Sequence, residues 1–329
     1  MNEASQSLTT RVEPLKADAH IVLATFLNDE PALILADGQI VFGADRITPH
    51  GESAILVAAC DGTRLITGGD DGKIFLLNSK ENVIEAGNEK GRWIDALALG
   101  PSQSIAWSTG KKVIARDGKG QLKEWTAPST AQGLAFASKG YRLGIAHYNG
   151  ASFWFPNTDG KPEFREWKGS HLDITFSDDG RFVVTSMQEN TLHGWRLADG
   201  KDMRMSGYPS KTRSFSWSHD GHWLATSGAD AAVIWPFKDK DGPMGKAPRE
   251  CGVRHAKVSS VAFHPRALVV AIGYEDGCIL LCRLTDAAEL LVRAAHKDDG
   301  KITSMTWDKT GARMIFGSEN GAAGVLTLP

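Results

Sequence analysis

Residues 174–201, ITFSDDGRFVVTSMQENTLHGWRLADGK, contain the pattern that decides the fold. An alternating run ends at Phe176, and the polar turn SDDG follows it. A β-branched run, a second turn and another strand lead to Trp195, and ADGK closes the stretch with a third turn. Short alternating runs between Gly- and Asp-rich turns are typical of antiparallel strands. The stretch therefore predicts three strands and three turns in 28 residues.

The same unit recurs along the chain. Clear copies are LAFASKG, FSWSHDG and MTWDKTG, and weaker copies are ATFLNDE, LVAACDG, LALGPSQ and VAFHPRA. The last strand residues before the turns are Phe26, Ala58, Leu99, Phe136, Phe176, Trp217, Phe263 and Trp307. The steps between these markers range from 32 to 46 residues and average about 40. Because such a period is typical of four-stranded propeller blades, the eight copies predict an all-β propeller rather than two separately folded domains.

Composition and charge narrow the class of protein. The chain has 329 residues, 35 glycines and a formal net charge of −2, which gives no reason to expect a nucleic-acid partner. The N-terminus has no apolar signal segment and no apolar run approaches 18 residues, so we expect a cytoplasmic protein with no membrane partner. The four cysteines have no framework spacing, which favours reduced thiols.

A second pattern follows the first in most copies. It is a strand, a turn rich in Asp, Asn, Glu and Gly, and another strand, as in LITGGDDGKIFLLN, VVTSMQENTLHGW and VAIGYEDGCILLC. These segments resemble WD40 repeats, whose consensus has a Ser-Gly pair, an Asp-rich turn and a strand that ends in Trp. Trp195 and Trp235 occupy that Trp position, although no copy ends in a literal Trp-Asp pair. The resemblance covers roughly residues 20–329 and implies a single closed β-propeller that docks proteins on its faces.

The repeat pattern predicts the number of blades and how the propeller closes. Eight four-stranded blades are expected, and seven is the alternative if the weak first or third copy is irregular. The chain stops at GAAGVLTLP, the third strand of the eighth copy. The segment from Leu8 to Leu15 could supply the missing outer strand and remove an exposed sheet edge. We therefore expect residues 1–19 to form an N-terminal arm that includes the closing strand, and residues 20–329 to form the propeller.

Motifs for catalysis are not evident. No GxSxG, HExxH or complete phosphate loop is present, so we expect no catalytic residues, no cofactor and no enzyme activity. The pairs that could bind a metal are Cys251 with His255, His219 with His222, and Cys278 with Cys282, but none supplies four ligands at local spacing. The alternatives to a scaffold are a propeller that binds a metal or small ligand, and an enzyme acting at the central channel.

The expected partner-binding residues lie on one rim. The residue six positions before each marker should lie in the loop that precedes the first strand of a repeat. The turn between the second and third strands of the repeat should lie on the same rim. Three aromatic residues among charges, a mixture typical of interface hot spots, and four basic residues form the candidate set: Trp93, Tyr148, Tyr274, Lys211, Arg213, Lys257 and Lys301. We expect one or more protein partners, with an acidic segment at the basic residues.

Two similar outer strands could form an exposed aromatic ledge. QLKEWTA contains Trp125 and EFREWKG contains Trp167, and each has a basic–acidic–Trp triplet. The other interpretation is that each ring packs into the gap between blades. The long segment Pro236–Cys251 is expected to be an exposed loop.

Overall fold

A computed structural model describes residues 7–296, 298 and 300–329, and these residues form an all-β fold. The N-terminal segment has a 3₁₀ turn, Thr9–Arg11, and strand β1, Val12–Lys16. The first repeat follows as one antiparallel sheet of β2 Ile21–Leu27, β3 Glu30–Leu35, β4 Ile40–Phe42 and β5 Asp45–Ile47.

The next four repeats contain fourteen strands in three antiparallel sheets. The second repeat is the sheet β6 Ile55–Cys60, β7 Leu65–Gly69, β8 Lys73–Leu77 and β9 Val83–Asn88. The third is β10 Ala96–Leu99, β11 Ile105–Thr109, β12 Lys112–Arg116 and β13 Leu122–Thr126. The fourth and fifth share one sheet of β14 Gly133–Phe136, β15 Leu143–Trp154, β16 Glu163–Phe176, β17 Phe182–Met187, β18 Leu192–Arg196 and β19 Asp202–Met205.

The last three repeats form three further sheets. The sixth repeat is β20 Phe215–Trp217, β21 Trp223–Thr226, β22 Ala232–Pro236 and β23 Arg249–Cys251. The seventh is β24 Val258–Phe263, β25 Val269–Tyr274, β26 Ile279–Arg283 and β27 Glu289–Arg293. The eighth is β28 Ile302–Trp307, β29 Arg313–Ser318 and β30 Ala322–Thr327, with β1 as its fourth strand.

The prediction that an N-terminal strand completes the last sheet is confirmed. Strand β1 pairs antiparallel with β30, and the register runs from Val12 opposite Leu326 to Lys16 opposite Ala322. Pro14 has no N–H to donate, which suits its place on an outer strand. The pairing covers the edge of β30 that faces away from β29.

The fold is a β-propeller of four-stranded blades, but the prediction of eight separate blades is wrong. The described residues form seven sheets, six with four strands and one with six. The physical reason is strand β16, whose first part pairs with β15 and whose second part pairs with β17. The irregular copies are thus the fourth and fifth. The first and third copies, whose pattern is weak in the sequence, form ordinary four-stranded sheets.

The described residues divide into two compact units with their own cores. The middle unit is Ser53–Thr212, and the split unit contains the described residues up to Glu52 together with Arg213–Pro329. Side chains between neighbouring repeats fill both cores, for example Trp107 and Trp195 in the middle unit and Trp307 in the split unit. These strand tryptophans are therefore mainly structural.

Candidate partner-binding edge

The connection before the first strand of a repeat lies against the turn between its second and third strands. In several repeats a backbone N–H of the turn donates to a carbonyl oxygen of the connection at 2.9–3.2 Å. The donor–acceptor pairs include Ala36–His20, Asp70–Ala54, Gln188–Ser170, Ser227–Ser214, Glu275–Lys257 and Glu319–Lys301. This bond places both segments at the same edge of each sheet, which we call the loop edge. His20, Ser170, Lys257 and Lys301, counted from the sequence as rim positions, lie at this edge.

In the middle unit, hydrogen bonds form both within the loop edge of one repeat and between the loop edges of neighbouring repeats. The N–H of Gly110 donates to Asp95 Oδ2 at 2.5 Å, and the carbonyl of Gly110 accepts from the N–H of Ala131 at 2.9 Å. Further along, the N–H of Tyr148 donates to Ser129 Oγ at 2.8 Å, and the N–H of Gly169 donates to Asn149 Oδ1 at 3.3 Å. These bonds join the loop edges of the third, fourth and fifth repeats. We call this stretch, from Trp93 to Glu189, the aromatic edge.

Two predicted aromatic residues stand exposed on the aromatic edge. Trp93 is 67% exposed in the connection before β10, and Tyr148 is 53% exposed beside the turn of the fourth repeat. Tyr148 also lines a groove of about 390 Å³ together with Trp167, Lys168, Gly169, Met187, Glu189, Thr191 and Arg204. The sequence did not single out Lys168 or Arg204. For Lys168, the short connection EWKGS could have indicated a position on the loop edge, because it leaves no room for Lys168 to lie elsewhere.

The charges of the aromatic edge are arranged asymmetrically. Lys111 and Lys168 on this edge, and Lys90 and Arg92 directly before it, are all exposed. The carboxylates of Asp95 and Glu189, in contrast, accept backbone N–H groups, and Glu189 does so from Ser170 at 3.1 Å. A carboxylate held by a backbone amide is fixed towards the chain, whereas a lysine or arginine head can reach outwards. The edge therefore presents aromatic rings and basic side chains to solvent.

The four basic residues predicted as a sector have different environments. Arg213 and Lys301 are exposed, and Lys211 and Lys257 are partly buried. The ammonium group of Lys301 forms an ion pair with Glu319 at 3.2 Å, and its backbone N–H donates to the same carboxylate at 3.2 Å. This pairing weakens Lys301 as a binding group for an acidic partner. Lys211 belongs to the middle unit and the other three belong to the split unit.

The expectation that Tyr274 sits among exposed charges is wrong. Its side chain is fully buried in the cluster of the sixth and seventh repeats, and its hydroxyl donates to the carbonyl of Gly252. The guanidinium of Arg254 lies 5.0 Å from the ring centroid and covers it. Burial raises the pKa of the Tyr274 hydroxyl. Tyr274 is the last residue of β25, and its side chain points inwards with those of Val270 and Ile272.

The two outer-strand tryptophans pack into gaps between strands instead of forming a free ledge. Trp125 lies 6.4 Å from Trp154, centroid to centroid, within the core of the third and fourth repeats. Trp167 stacks on the buried ring of His193 at 3.8 Å, and His193 also contacts Trp195 at 4.7 Å. Burial lowers the pKa of His193 to about 3, and His171 and Arg204 act in the same direction.

None of the candidate metal pairs has a third side chain placed to bind a metal with it among the described residues. Within the described part of the chain, no three His, Cys, Asp or Glu side chains are placed to hold a metal ion. His219 and His222 flank a turn, where His222 Nδ1 lies 3.1 Å from the carboxylate of Asp220. In the same part of the chain no helix is long and apolar enough to span a bilayer.

Two family models match the C-terminal repeats. The model described as the anaphase-promoting complex subunit 4 WD40 domain matches residues 261–328. The model described as WD domain, G-beta repeat, matches residues 203–235. Both matched segments lie in repeats that the sequence pattern had already marked.

Longer relatives carry similar repeats. Periodic tryptophan protein 2 of Saccharomyces cerevisiae is 23% identical over 333 residues, which cover 89% of this chain and 33% of that protein. WD repeat-containing protein 1-A of Xenopus laevis is 30% identical over 115 residues, which cover 34% of this chain and 18% of that protein. The chain thus spans about a third or less of the length of these relatives.

A solved structure agrees with the fold. The crystal structure of the computationally designed Ika8 protein superposes with a TM-score of 0.77 at 16% identity, and the match covers 95% of this chain and 98% of that one. At this identity the similarity concerns the fold alone. The repeated four-stranded blades, the two family models and the WD-repeat relatives support a WD40-type β-propeller with divergent repeats.

Proposed function

We propose that this chain is a non-catalytic scaffold that docks a protein partner on its aromatic edge. The partner contributes an extended segment in which an apolar side chain lies beside acidic ones, and we place the encounter in the cytoplasm. The match of residues 261–328 to a family model named after a subunit of the anaphase-promoting complex supports a role in assembly. The observation that carries the proposal is the pair of exposed rings, Trp93 and Tyr148, on one hydrogen-bonded edge.

The exposed rings are the apolar part of the site. Large aromatic side chains carry much of the binding free energy at protein interfaces, because they bury a wide apolar area with few rotatable bonds. Trp93 projects from a connection that the bond between Asp95 and Gly110 anchors, so its backbone needs little ordering on binding. Tyr148 is anchored in the same way through Ser129.

The basic side chains decide the chemistry of the partner. Lys90 and Arg92 directly precede Trp93 in the sequence, and Lys168 lines the groove beside Tyr148. Acidic groups on a partner would be attracted to these positions, and like charges would be rejected. Lys211 in the middle unit, and Arg213 and Lys257 in the split unit, each remain a predicted contact for acidic groups of a partner.

The test compares edge variants with controls from the same unit. The full chain is immobilised, proteins are captured from an extract of the source cells, and the dominant captured protein is purified and titrated against each variant. We expect Trp93→Ala with Tyr148→Ala to raise the dissociation constant by roughly 10-fold or more, as hot-spot removal does. Lys111→Glu should also raise the dissociation constant, and the increase should be larger at low salt than at high salt.

Leu122→Ala serves as the control, because Leu122 is 55% exposed on outer strand β13, away from the loop edge. This variant should bind as the unchanged protein does, and all variants should keep the same circular dichroism spectrum. Equal affinity of the double aromatic variant and the unchanged protein would overturn the aromatic edge as the docking site.

A further inference from the structure

Two buried cysteines from neighbouring sheets meet in the split unit. Cys251 is the last residue of β23, the outer strand of the sixth repeat, and Cys282 lies in β26 of the seventh repeat. Both are free thiols, and both belong to the same buried cluster, which also holds Ile272 and Tyr274. The metal-binding pairs considered from the sequence, Cys251 with His255 and Cys278 with Cys282, do not include this combination.

Hydrogen bonds on both sides of Cys251 hold its strand against the seventh repeat. The N–H of Gly252 donates to Glu289 Oε1 at 3.1 Å, and the Gly252 carbonyl accepts from the Tyr274 hydroxyl. On the other side, Arg249 Nη1 donates to the carbonyl of Leu284 at 3.2 Å. Glu289 is the residue directly opposite Cys282 in the pairing of β26 with β27. The residue after Cys251 is therefore fixed to the immediate neighbour of Cys282.

We propose that Cys251 and Cys282 form a redox-active dithiol that a peroxide converts into a disulfide linking the sixth and seventh repeats. The bonds around Gly252 hold the two strands together before oxidation, so the new bond needs little movement of the backbone. A disulfide requires this closeness, because its sulfur atoms must approach to about 2 Å. The proposal stands apart from the aromatic edge, since both cysteines belong to the split unit.

The protonation of the pair favours attack by one particular sulfur. A hydrogen bond from the Cys282 thiol lowers the pKa of Cys251, and Arg249 acts in the same direction against the opposing effect of burial. The same contact raises the pKa of Cys282. Because the thiolate is the reactive form, Cys251 is the attacking residue and Cys282 the resolving one.

The reaction has two balanced steps. The Cys251 thiolate attacks one oxygen of hydrogen peroxide, the O–O bond breaks, and the products are a sulfenic acid and hydroxide. The Cys282 thiol then loses its proton to that hydroxide, its sulfur attacks the sulfenic sulfur, and the departing hydroxide takes up a proton as water. In sum, two thiols are oxidised to one disulfide and one peroxide is reduced to two waters.

The experiment treats the full chain with hydrogen peroxide, blocks the remaining thiols under denaturing conditions and maps the peptides by mass spectrometry. We expect a peptide pair linked through Cys251 and Cys282 that disappears after treatment with dithiothreitol. The melting temperature of the oxidised protein should exceed that of the reduced protein by roughly 3 °C or more, because the bond restricts the unfolded chain.

Matched serine variants separate this pair from the other thiols. Cys60 belongs to the middle unit, and burial raises the pKa of Cys278, so Cys60→Ser and Cys278→Ser should both retain the linked peptide. Cys251→Ser and Cys282→Ser should both abolish it, and Cys282→Ser should leave Cys251 as a sulfenic acid that dimedone traps. Recovery of all four cysteines of the unchanged protein as blocked thiols, or a linked peptide that contains Cys60 or Cys278, would overturn the proposal.

Discussion

At the scale of single residues, Glu89 anchors the third repeat. Its side chain is only 10% exposed, and its carboxylate accepts from the indole N–H of Trp107 at 2.9 Å and from Lys112 Nζ at 3.0 Å. Trp107 is itself buried in the core between the second and third repeats. Lys112 has a second partner, the exposed Glu124 at 2.9 Å, and the hydrogen bonds with Glu124 and Glu89 raise the pKa of Lys112. One lysine thus has a buried and an exposed carboxylate partner.

This arrangement gives an internally controlled prediction. Glu89→Ala should lower the free energy of unfolding by about 1–3 kcal/mol, because it leaves the buried indole N–H without its acceptor. Glu124→Ala removes only an exposed ion pair and should change it by less than about 0.5 kcal/mol. Urea denaturation followed by tryptophan fluorescence measures both. Equal losses for the two variants would contradict the anchoring role of Glu89.

Two tyrosines show how far the sequence could predict the candidate site. Tyr148 and Tyr274 were assigned to the same rim, but only Tyr148 is exposed. If the repeats are aligned on their turn glycines, Gly150 and Gly277, Tyr274 matches the buried His147 and not Tyr148. A shift of one residue on a strand reverses the face to which a side chain points. The sequence therefore contained the correct answer, provided the alignment used the turn.

At the scale of elements, Gly169 allows one strand to serve two repeats. Strand β16 continues through Gly169 with φ of +130°, and a β-carbon there would lie 2.5 Å from Met187 Cε and 2.9 Å from Glu189 Oε2. Only glycine adopts this backbone conformation without strain. The sequence pattern predicted the strands on both sides of Gly169. It could not predict their continuity, because a short connection and an uninterrupted strand contain the same residues.

Substitution of Gly169 should destabilise the six-stranded sheet. Gly169→Val should lower the free energy of unfolding by roughly 2 kcal/mol or more, since both the backbone and the space are unfavourable. Gly160→Ala is the control, because the nearest atom to an added β-carbon there is Thr158 Oγ1 at 3.6 Å. Thermal unfolding of both variants measures the difference. A Gly169→Val protein as stable as the control would show that β16 needs no glycine at this position.

At the scale of the whole molecule, buried neutral histidines couple stability to pH. His147, His171 and His193 are fully buried, and burial lowers the pKa of each below its ordinary value. For His193 the value falls to about 3. His147 and His171 have hydrogen-bond partners in Ser152 and Thr185, whereas neither ring nitrogen of His193 has one among the described residues. His193 is therefore the histidine whose replacement disturbs the fewest bonds.

The direction of the pH effect follows from proton uptake. Below about pH 6.5 the unfolded chain protonates these histidines while the folded chain resists, so the unfolded state binds more protons. The stabilisation is complete above about pH 6.5 and is lost progressively as the pH falls towards the folded-state value of about 3 for His193. Each such histidine contributes a slope of up to about 1.4 kcal/mol per pH unit.

We therefore expect the protein to lose stability between pH 7.5 and pH 5, and His193→Phe to lose less. Phenylalanine keeps the stacking on Trp167 and Trp195 but cannot be protonated, so the difference between the two proteins isolates one titration. His219→Phe, at an exposed position, serves as the control for replacing a histidine by phenylalanine. Urea midpoints measured at several pH values test this. If His193→Phe and the unchanged protein lose stability in parallel, His193 is protonated equally in the folded and unfolded chains, and the loss belongs to other groups.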